Sequence, residues 1–303
     1  MEKIKVNIIT GFLGAGKTTT ILNLLKKKDK NENWAVIVNE FGEISIDTLT
    51  LSESTDSGRV YDIYGGCICC SAKEYFHENL NKIIQEKKFD RIVIEPTGLG
   101  GPDMVAEIIL SVPELELMPS ICLVDPGYFE NMRIQMIPLF RIQIQRADVV
   151  VLSKCDLVAD QQKLKSIMKN IQQIFPGKLS YSFSVNGDLD IGLLDSGKPI
   201  QKRDVLGINL STKEVKSKTY TIPNSEIVDI EGLLDYFKNE ESIIRAKGYV
   251  KGASGWRLIN YTLTGQKIEV SSDLHQGVIT IFTEFKDGDS FNRIDQSIQD
   301  CKV

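Results

Sequence analysis

The chain is short of positive charge. Its 36 Lys and Arg are outnumbered by 41 Asp and Glu, leaving a formal net charge of −5. A general nucleic-acid binder needs a Lys/Arg excess to displace counterions, so that class is excluded. Long apolar runs are missing as well. None approaches the roughly 20 residues that cross a bilayer, which argues against a membrane span. Internal repeats and low-complexity tracts are absent. The opening MEKIKVNIIT runs straight into a glycine-rich loop without a cleavage-type segment, so a cytoplasmic protein is expected. Thiols stay reduced there, and clustered cysteines then read as metal-binding or catalytic rather than as a disulfide framework.

What is present suits an ordinary globular core: 42% hydrophobic and 25% charged residues. At 303 residues, one large and one small domain are expected. Between residues 4 and 200, short apolar runs alternate with amphipathic stretches. Strands are predicted at 4–10, 34–39, 60–64, 91–95, 120–125, 147–153 and 179–184, and helices around 16–28, 71–88, 102–111 and 159–175. Continuous Val/Ile runs such as WAVIV and RIVIE fit strands covered on both faces. The fold class expected for residues 1–200 is therefore α/β, a mostly parallel sheet flanked by helices. Residues 201–218 are polar with little pattern and read as a linker. Residues 219–303 carry strand-like runs around one amphipathic helix, EIVDIEGLLDYFKN, and predict a small α+β domain with an antiparallel sheet.

GFLGAGKT, residues 11–18, fits G-x-x-x-x-G-K-[ST] between a predicted strand and a predicted helix, the context in which that pattern is a phosphate-binding loop. The glycines let successive N–H groups face phosphate oxygens, and the helix N-terminus adds to the field. Gly11, Gly14, Ala15, Gly16, Lys17, Thr18 and Thr19 are the candidate phosphate ligands. Lys17 is expected at the β- and γ-phosphates and the Thr18 hydroxyl on Mg²⁺. SKCD, residues 153–156, ends an apolar strand where an N-K-x-D base-reading loop belongs. Asp156 can accept the two N–H donors that guanine has and adenine lacks, while the Lys154 stem covers the base. GTP is thus favoured over ATP. IVIEPTG, residues 92–98, ends a buried strand in Glu95, facing the Mg²⁺ region through water, with the Gly98 N–H as a γ-phosphate sensor. On the loop VNEFGEISID, residues 38–47, Glu40, Glu43 and Asp47 could hold Mg²⁺, orient the attacking water or ligate a second metal.

GGCICC, residues 65–70, places Cys67, Cys69 and Cys70 within four positions. Thiolates are soft donors, and Gly65 and Gly66 permit a loop that turns three of them inward. A packing cluster and a thiol–disulfide switch are the other readings of these three residues. Cys122 and Cys155 lie in and beside strands and read as structural.

Taken in order, GFLGAGKTT, NEFGEISID, GGCICC, IVIEPTGLGGP and SKCDL resemble the CobW-like P-loop GTPases, relatives of the HypB and UreG nickel chaperones. The similarity runs through residues 4 to about 200, with an echo in IIRAKGYVKG and Trp256. It implies GTP binding, slow hydrolysis to GDP and handling of Zn²⁺ or Co²⁺ on the C-x-C-C motif. Three thiolates leave one coordination position for water, Glu43 or a receiving protein. The expected machinery is Lys17, Mg²⁺ on Thr18 with Asp47, and a water placed by the 38–47 loop with Glu40 or Glu43 nearby. GTP would draw Glu43 towards Cys67, Cys69 and Cys70, and hydrolysis would release it. Partners implied are a client metalloprotein or cofactor-biosynthesis enzyme, and a nucleotide- or metal-dependent homodimer. A GTP-dependent activator of a metallo- or corrinoid enzyme that carries no metal is the alternative; a small-molecule kinase is disfavoured because no arginine-rich lid is evident. The chain departs from the family pattern at Ser153, where asparagine is usual, and at Val38, where some members are acidic. With only His77 and His275 it lacks a histidine-rich store.

Overall fold

The computed structural model describes residues 2–38, 59–62, 70–86, 89–96, 102–200, 215–271, 276–284 and 290–302. The chain divides into two compact units, Met1–Asn209 and Leu210–Val303.

In the first unit, β1 (Ile4–Gly11), β2 (Trp34–Val38), β3 (Arg59–Asp62), β4 (Arg91–Glu95), β5 (Leu115–Leu117), β6 (Ile121–Val124), β7 (Val149–Leu152) and β8 (Ser180–Phe183) form one sheet. Its order is β3-β2-β4-β1-β6-β7-β8, with β5 also on β1, and every pairing is parallel. β1 shares one edge between two partners. Its first half pairs with β5 (Val6 with Leu117) and its second half with β6 (Ile9 with Ile121). The helices are α1 (Lys17–Lys27), α2 (Cys70–Gln85), α3 (Pro102–Ser111), α4 (Pro126–Glu130), α5 (Met132–Gln135), α6 (Pro138–Arg146) and α7 (Gln161–Ile174).

Strand periodicity explains the two cores. Along β2, Trp34, Val36 and Val38 join one cluster with Ile21, Leu24 and Leu25 of α1. Ala35 and Ile37 join the other, with Phe76 and Leu80 of α2 and Ile108 and Ile109 of α3. Alternate residues point to opposite faces, and both faces are covered, so all five residues of β2 are buried. Helix ends are fixed by short polar side chains. Asp160 caps α7, its carboxylate accepting from the N–H groups of Gln162 and Lys163 at 2.8 and 3.1 Å. At the other end of α6, the Lys178 ammonium donates to the carbonyls of Ile144, Gln145 and Ala147 at 2.6–2.8 Å, closing acceptors that the last turn leaves open.

The second unit has an antiparallel sheet of order β12-β11-β10-β13-β9. Its strands are β9 (Val215–Pro223), β10 (Ile243–Gly252), β11 (Gly255–Thr262), β12 (Gly265–Val270) and β13 (Gln276–Glu284). Helices α8 (Ile230–Asn239) and α9 (Ser290–Asp300) contribute Leu233, Leu234, Phe237, Ile294 and Ile298 to a core with Ile243, Ile259 and Ile281 of the sheet. Asp295 of α9 accepts hydrogen bonds from Lys218 and Tyr220 of β9 at 2.7–2.8 Å. Strand β9 begins at Val215, inside the stretch read as linker, because its polar residues pair along β13. Among the described residues no helix is long and apolar enough to cross a membrane.

Candidate functional site

Parallel strands present their carboxyl ends on one edge, and a crevice opens where successive connections leave in opposite directions. Here that point lies at the end of β1, between β4 and β6. The GFLGAGKT loop springs from it. Phe12, Leu13 and Ala15 are buried and anchor the loop, and Phe12 meets the rings of Tyr128 and Phe140 edge-on at 6.0 and 5.9 Å. Gly16 sits at the α1 N-cap with φ +94, and a Cβ there would meet nothing within 4 Å. The position demands glycine for its dihedral, and the space before it stays open as a phosphate cradle requires.

Lys17 opens α1 and is buried despite its charge. Its Nζ lies 3.8 Å from Oε1 of Glu95, the buried last residue of β4. The Thr18 hydroxyl donates to the same carboxylate at 3.3–3.4 Å. One strand end and one helix start thus bring a cation, a hydroxyl and a carboxylate together. A hydroxyl beside carboxylate oxygens is a hard donor set that fits Mg²⁺, and the ammonium fits phosphate oxygens. Thr19 does not face this cluster. It is exposed, and its methyl group lies against Gly187.

The second constellation stands at the ends of β6, β7 and β8. Lys154 takes left-handed backbone angles (φ +53) and pairs through Nζ with Asp125 at 3.0 Å. Asp156 is exposed on a 3₁₀ turn (Cys155–Leu157) and accepts the Asn186 N–H at 2.8 Å. The Cys155 N–H donates to the Ser184 carbonyl at 3.1 Å, so the turn after β8 supports the SKCD loop from behind. Ser153 is buried, and its hydroxyl has no hydrogen-bond partner among the described residues.

That supporting turn, VNGD at 185–188, has a second docking partner. Asn23 of α1 donates to the Asn186 carbonyl at 2.9 Å, and Lys27 reaches Asp188 and the Leu189 carbonyl. Sequence reasoning passed over this turn and Asp125. The signals were an Asn-Gly pair after a short strand and an Asp-Pro step ending an apolar one.

The thiols divide. Burial pushes the Cys122 thiol up to about 12 and raises that of Cys155, so both are protonated at neutral pH and serve neither as ligands nor as nucleophiles. Cys70 is the first residue of α2. Cys67, Cys69, Glu40, Glu43, Asp47, Gly98 and His275 lie outside the described residues. His77, on α2, shares a hydrogen bond with Asn81 at 3.2 Å.

Sequence comparison matches residues 5–181 to the profile described as CobW/HypB/UreG, nucleotide-binding domain. The chain is 37% identical over 194 residues to the zinc chaperone YeiR of Escherichia coli, covering 63% of this chain and 58% of that protein. It is 32% identical over 203 residues to the zinc chaperone YjiA of Escherichia coli, covering 64% and 61%. The chain thus spans about six tenths of the length of these relatives. Among solved structures, Zn(II)-bound YjiA GTPase from E. coli aligns over 100% of both chains at 21% identity and a TM-score of 0.48.

Proposed function

Because the chain belongs to the CobW/HypB/UreG nucleotide-binding domain family, we propose that it is a GTP-binding, slowly hydrolysing metallochaperone whose cargo is a transition metal, Zn²⁺ or Co²⁺. The observation that carries the nucleotide half is the meeting of Lys17, Thr18 and Glu95 at the end of β1, beside a base-reading loop held at Lys154 and Asp156. The metal half rests on Cys67, Cys69 and Cys70 in the sequence and on relatives named zinc chaperones.

In this reading Lys17 binds the β- and γ-phosphates, and its burial strengthens that attraction over one made in water. Thr18 and Glu95 would hold Mg²⁺, which supplies neutralisation of charge on the phosphate oxygens. Asp156 selects guanine, with Ser153 at the position where asparagine is usual. With no arginine finger assigned, hydrolysis is slow and depends on positioning by Glu40 or Glu43. The three thiolates hold the cargo with one position open, and Glu43 fills it in the GTP state. A client protein takes the metal after hydrolysis.

The test is equilibrium binding of Zn²⁺ and Co²⁺ to the full chain, with and without a non-hydrolysable GTP analogue. Replacing Cys67, Cys69 and Cys70 together by serine should abolish tight binding, and the analogue should shift the parent's affinity. Unchanged metal affinity in the triple variant sinks the carrier reading. Intact affinity that is indifferent to nucleotide points instead to an activator that moves no metal.

A further inference from the structure

Asp125 is not part of the phosphate loop, the base-reading motif or the thiol cluster, yet it is bonded to the second of these through Lys154. It directly follows the buried strand β6 and is itself only 4% exposed. Its two carboxylate oxygens do different work. Oδ1 accepts the Gly127 N–H at 2.9 Å and caps α4, with Pro126 preset at the first helical position. Oδ2 faces the Lys154 ammonium at 3.0 Å. Lys154 also lies over the ring of Tyr128, 5.9 Å from its centre, and that buried ring meets Phe12 of the phosphate loop edge-on at 6.0 Å. A path of direct contacts therefore joins the two nucleotide loops: Phe12, Tyr128, Lys154, Asp125.

We infer that Asp125 is a positioning residue for guanine recognition, acting by holding Lys154 in the left-handed conformation that aims the base-reading loop. The inference rests on the nucleotide site proposed above. A non-glycine residue is disfavoured in that region, and the flanking backbone bonds of Ser153 to Val124 and Cys155 to Ser184 fix the chain around Lys154 but not its side chain. A lysine stem with four torsions does not retain itself. The carboxylate is shielded from solvent, so its attraction is weakly screened by salt. Asp156 lies only two residues on, carried by the turn that follows Lys154. Releasing Lys154 lets the turn relax, and the Asp156 carboxylate moves away from the guanine edge. Base recognition is then lost while the phosphate cradle, which Asp125 does not touch, stays as it was.

The informative substitution is Asp125→Asn. Its side-chain oxygen still caps α4, but the charge facing Lys154 is gone. Affinities for GDP, ADP and inorganic tripolyphosphate, which has no base, are measured by calorimetry with Mg²⁺ on the full chain. The parent should prefer GDP to ADP. Asp125→Asn should bind GDP about tenfold more weakly, or about 1.4 kcal/mol, with ADP changed by less than about threefold and tripolyphosphate unchanged. Asp125→Glu should recover part of the loss. Should Asp125→Asn not fold, Asp125→Ser, another good cap without charge, carries the same expectation. A variant that keeps the parent's GDP affinity overturns the inference and leaves the guanine site standing. Equal weakening of all three ligands marks Asp125 as merely structural and overturns it too. A parent with no preference for GDP over ADP refutes the guanine reading itself, and the inference with it.

Discussion

Substituting Gly187 by alanine tests how the turn that supports the SKCD loop is tied to α1. The residue has φ +73, and a Cβ built on it would lie 2.9 Å from the Thr19 methyl group and 3.2 Å from the backbone of Thr19 and Thr20. Two costs follow. Left-handed angles cost alanine about 1–2 kcal/mol relative to glycine. Crowding a packed contact costs a further 1–3 kcal/mol or so. The helix backbone cannot yield, because the Thr20 N–H is bonded to the Gly16 carbonyl at 3.0 Å. The turn must move instead, against the Asn23 and Lys27 bonds that hold it. Gly187→Ala should therefore lose about 2–5 kcal/mol, a large part of the 5–15 kcal/mol typical of a folded domain. Urea unfolding followed by Trp34 fluorescence measures it, since Trp34 is buried in the same core cluster as Leu189. The two contributions separate in a Thr19→Ser background, which removes the nearest methyl group and should return the crowding share but not the dihedral share. A Gly187→Ala protein within 0.5 kcal/mol or so of its parent refutes the reasoning. An equal loss in both backgrounds refutes its steric half.

Three further outcomes follow from buried and half-buried groups. Lys178→Met removes the ammonium from three carbonyls at the end of α6 and should cost about 2–3 kcal/mol, the net worth of about one hydrogen bond to a charged group, because water reaches the half-buried site and takes over the other acceptors; an unchanged urea midpoint would show that solvent satisfies all three. The raised Cys122 thiol makes the folded chain hold a proton that the unfolded chain releases. Stability should therefore fall as pH climbs above 9 towards about 12, by up to about 1.4 kcal/mol per pH unit, and Cys122→Ala should flatten that limb. In the native protein, Ellman's reagent should accordingly spare Cys122 and Cys155 until denaturant is added.

Much of this arrangement was legible in the residues, for physical reasons. Val/Ile strands buried on both faces announce themselves without tertiary knowledge, and a phosphate loop is defined by local backbone needs that GFLGAGKT writes out directly. The segment 126–146 was silent. Its three short helices are interrupted at Asn131 and Ile137, and none is long enough to show a period. Helix α9 was passed over because only Phe291, Ile294 and Ile298 mark its apolar side in an otherwise polar sequence. Asp125 was illegible for a different reason. Its partner Lys154 lies across a strand pair, and no local pattern reports a contact made by sheet order.

The divided edge of β1 has a consequence for how the protein is made. Gly11, where the phosphate loop begins, is aligned with Leu123, and Ile8 with Ile94. Neither neighbour exists when β1 leaves the ribosome. At about 5–20 residues per second, the segment waits roughly 6–20 s for the strand that closes its far half. During that interval Ile8, Ile9, Phe12 and Leu13, all buried at the end, are open to whatever else is nearby. The GFLGAGKT loop is thus synthesised well before the strands that shape it, and nascent-chain holdases have a target in the apolar β1 segment while it waits.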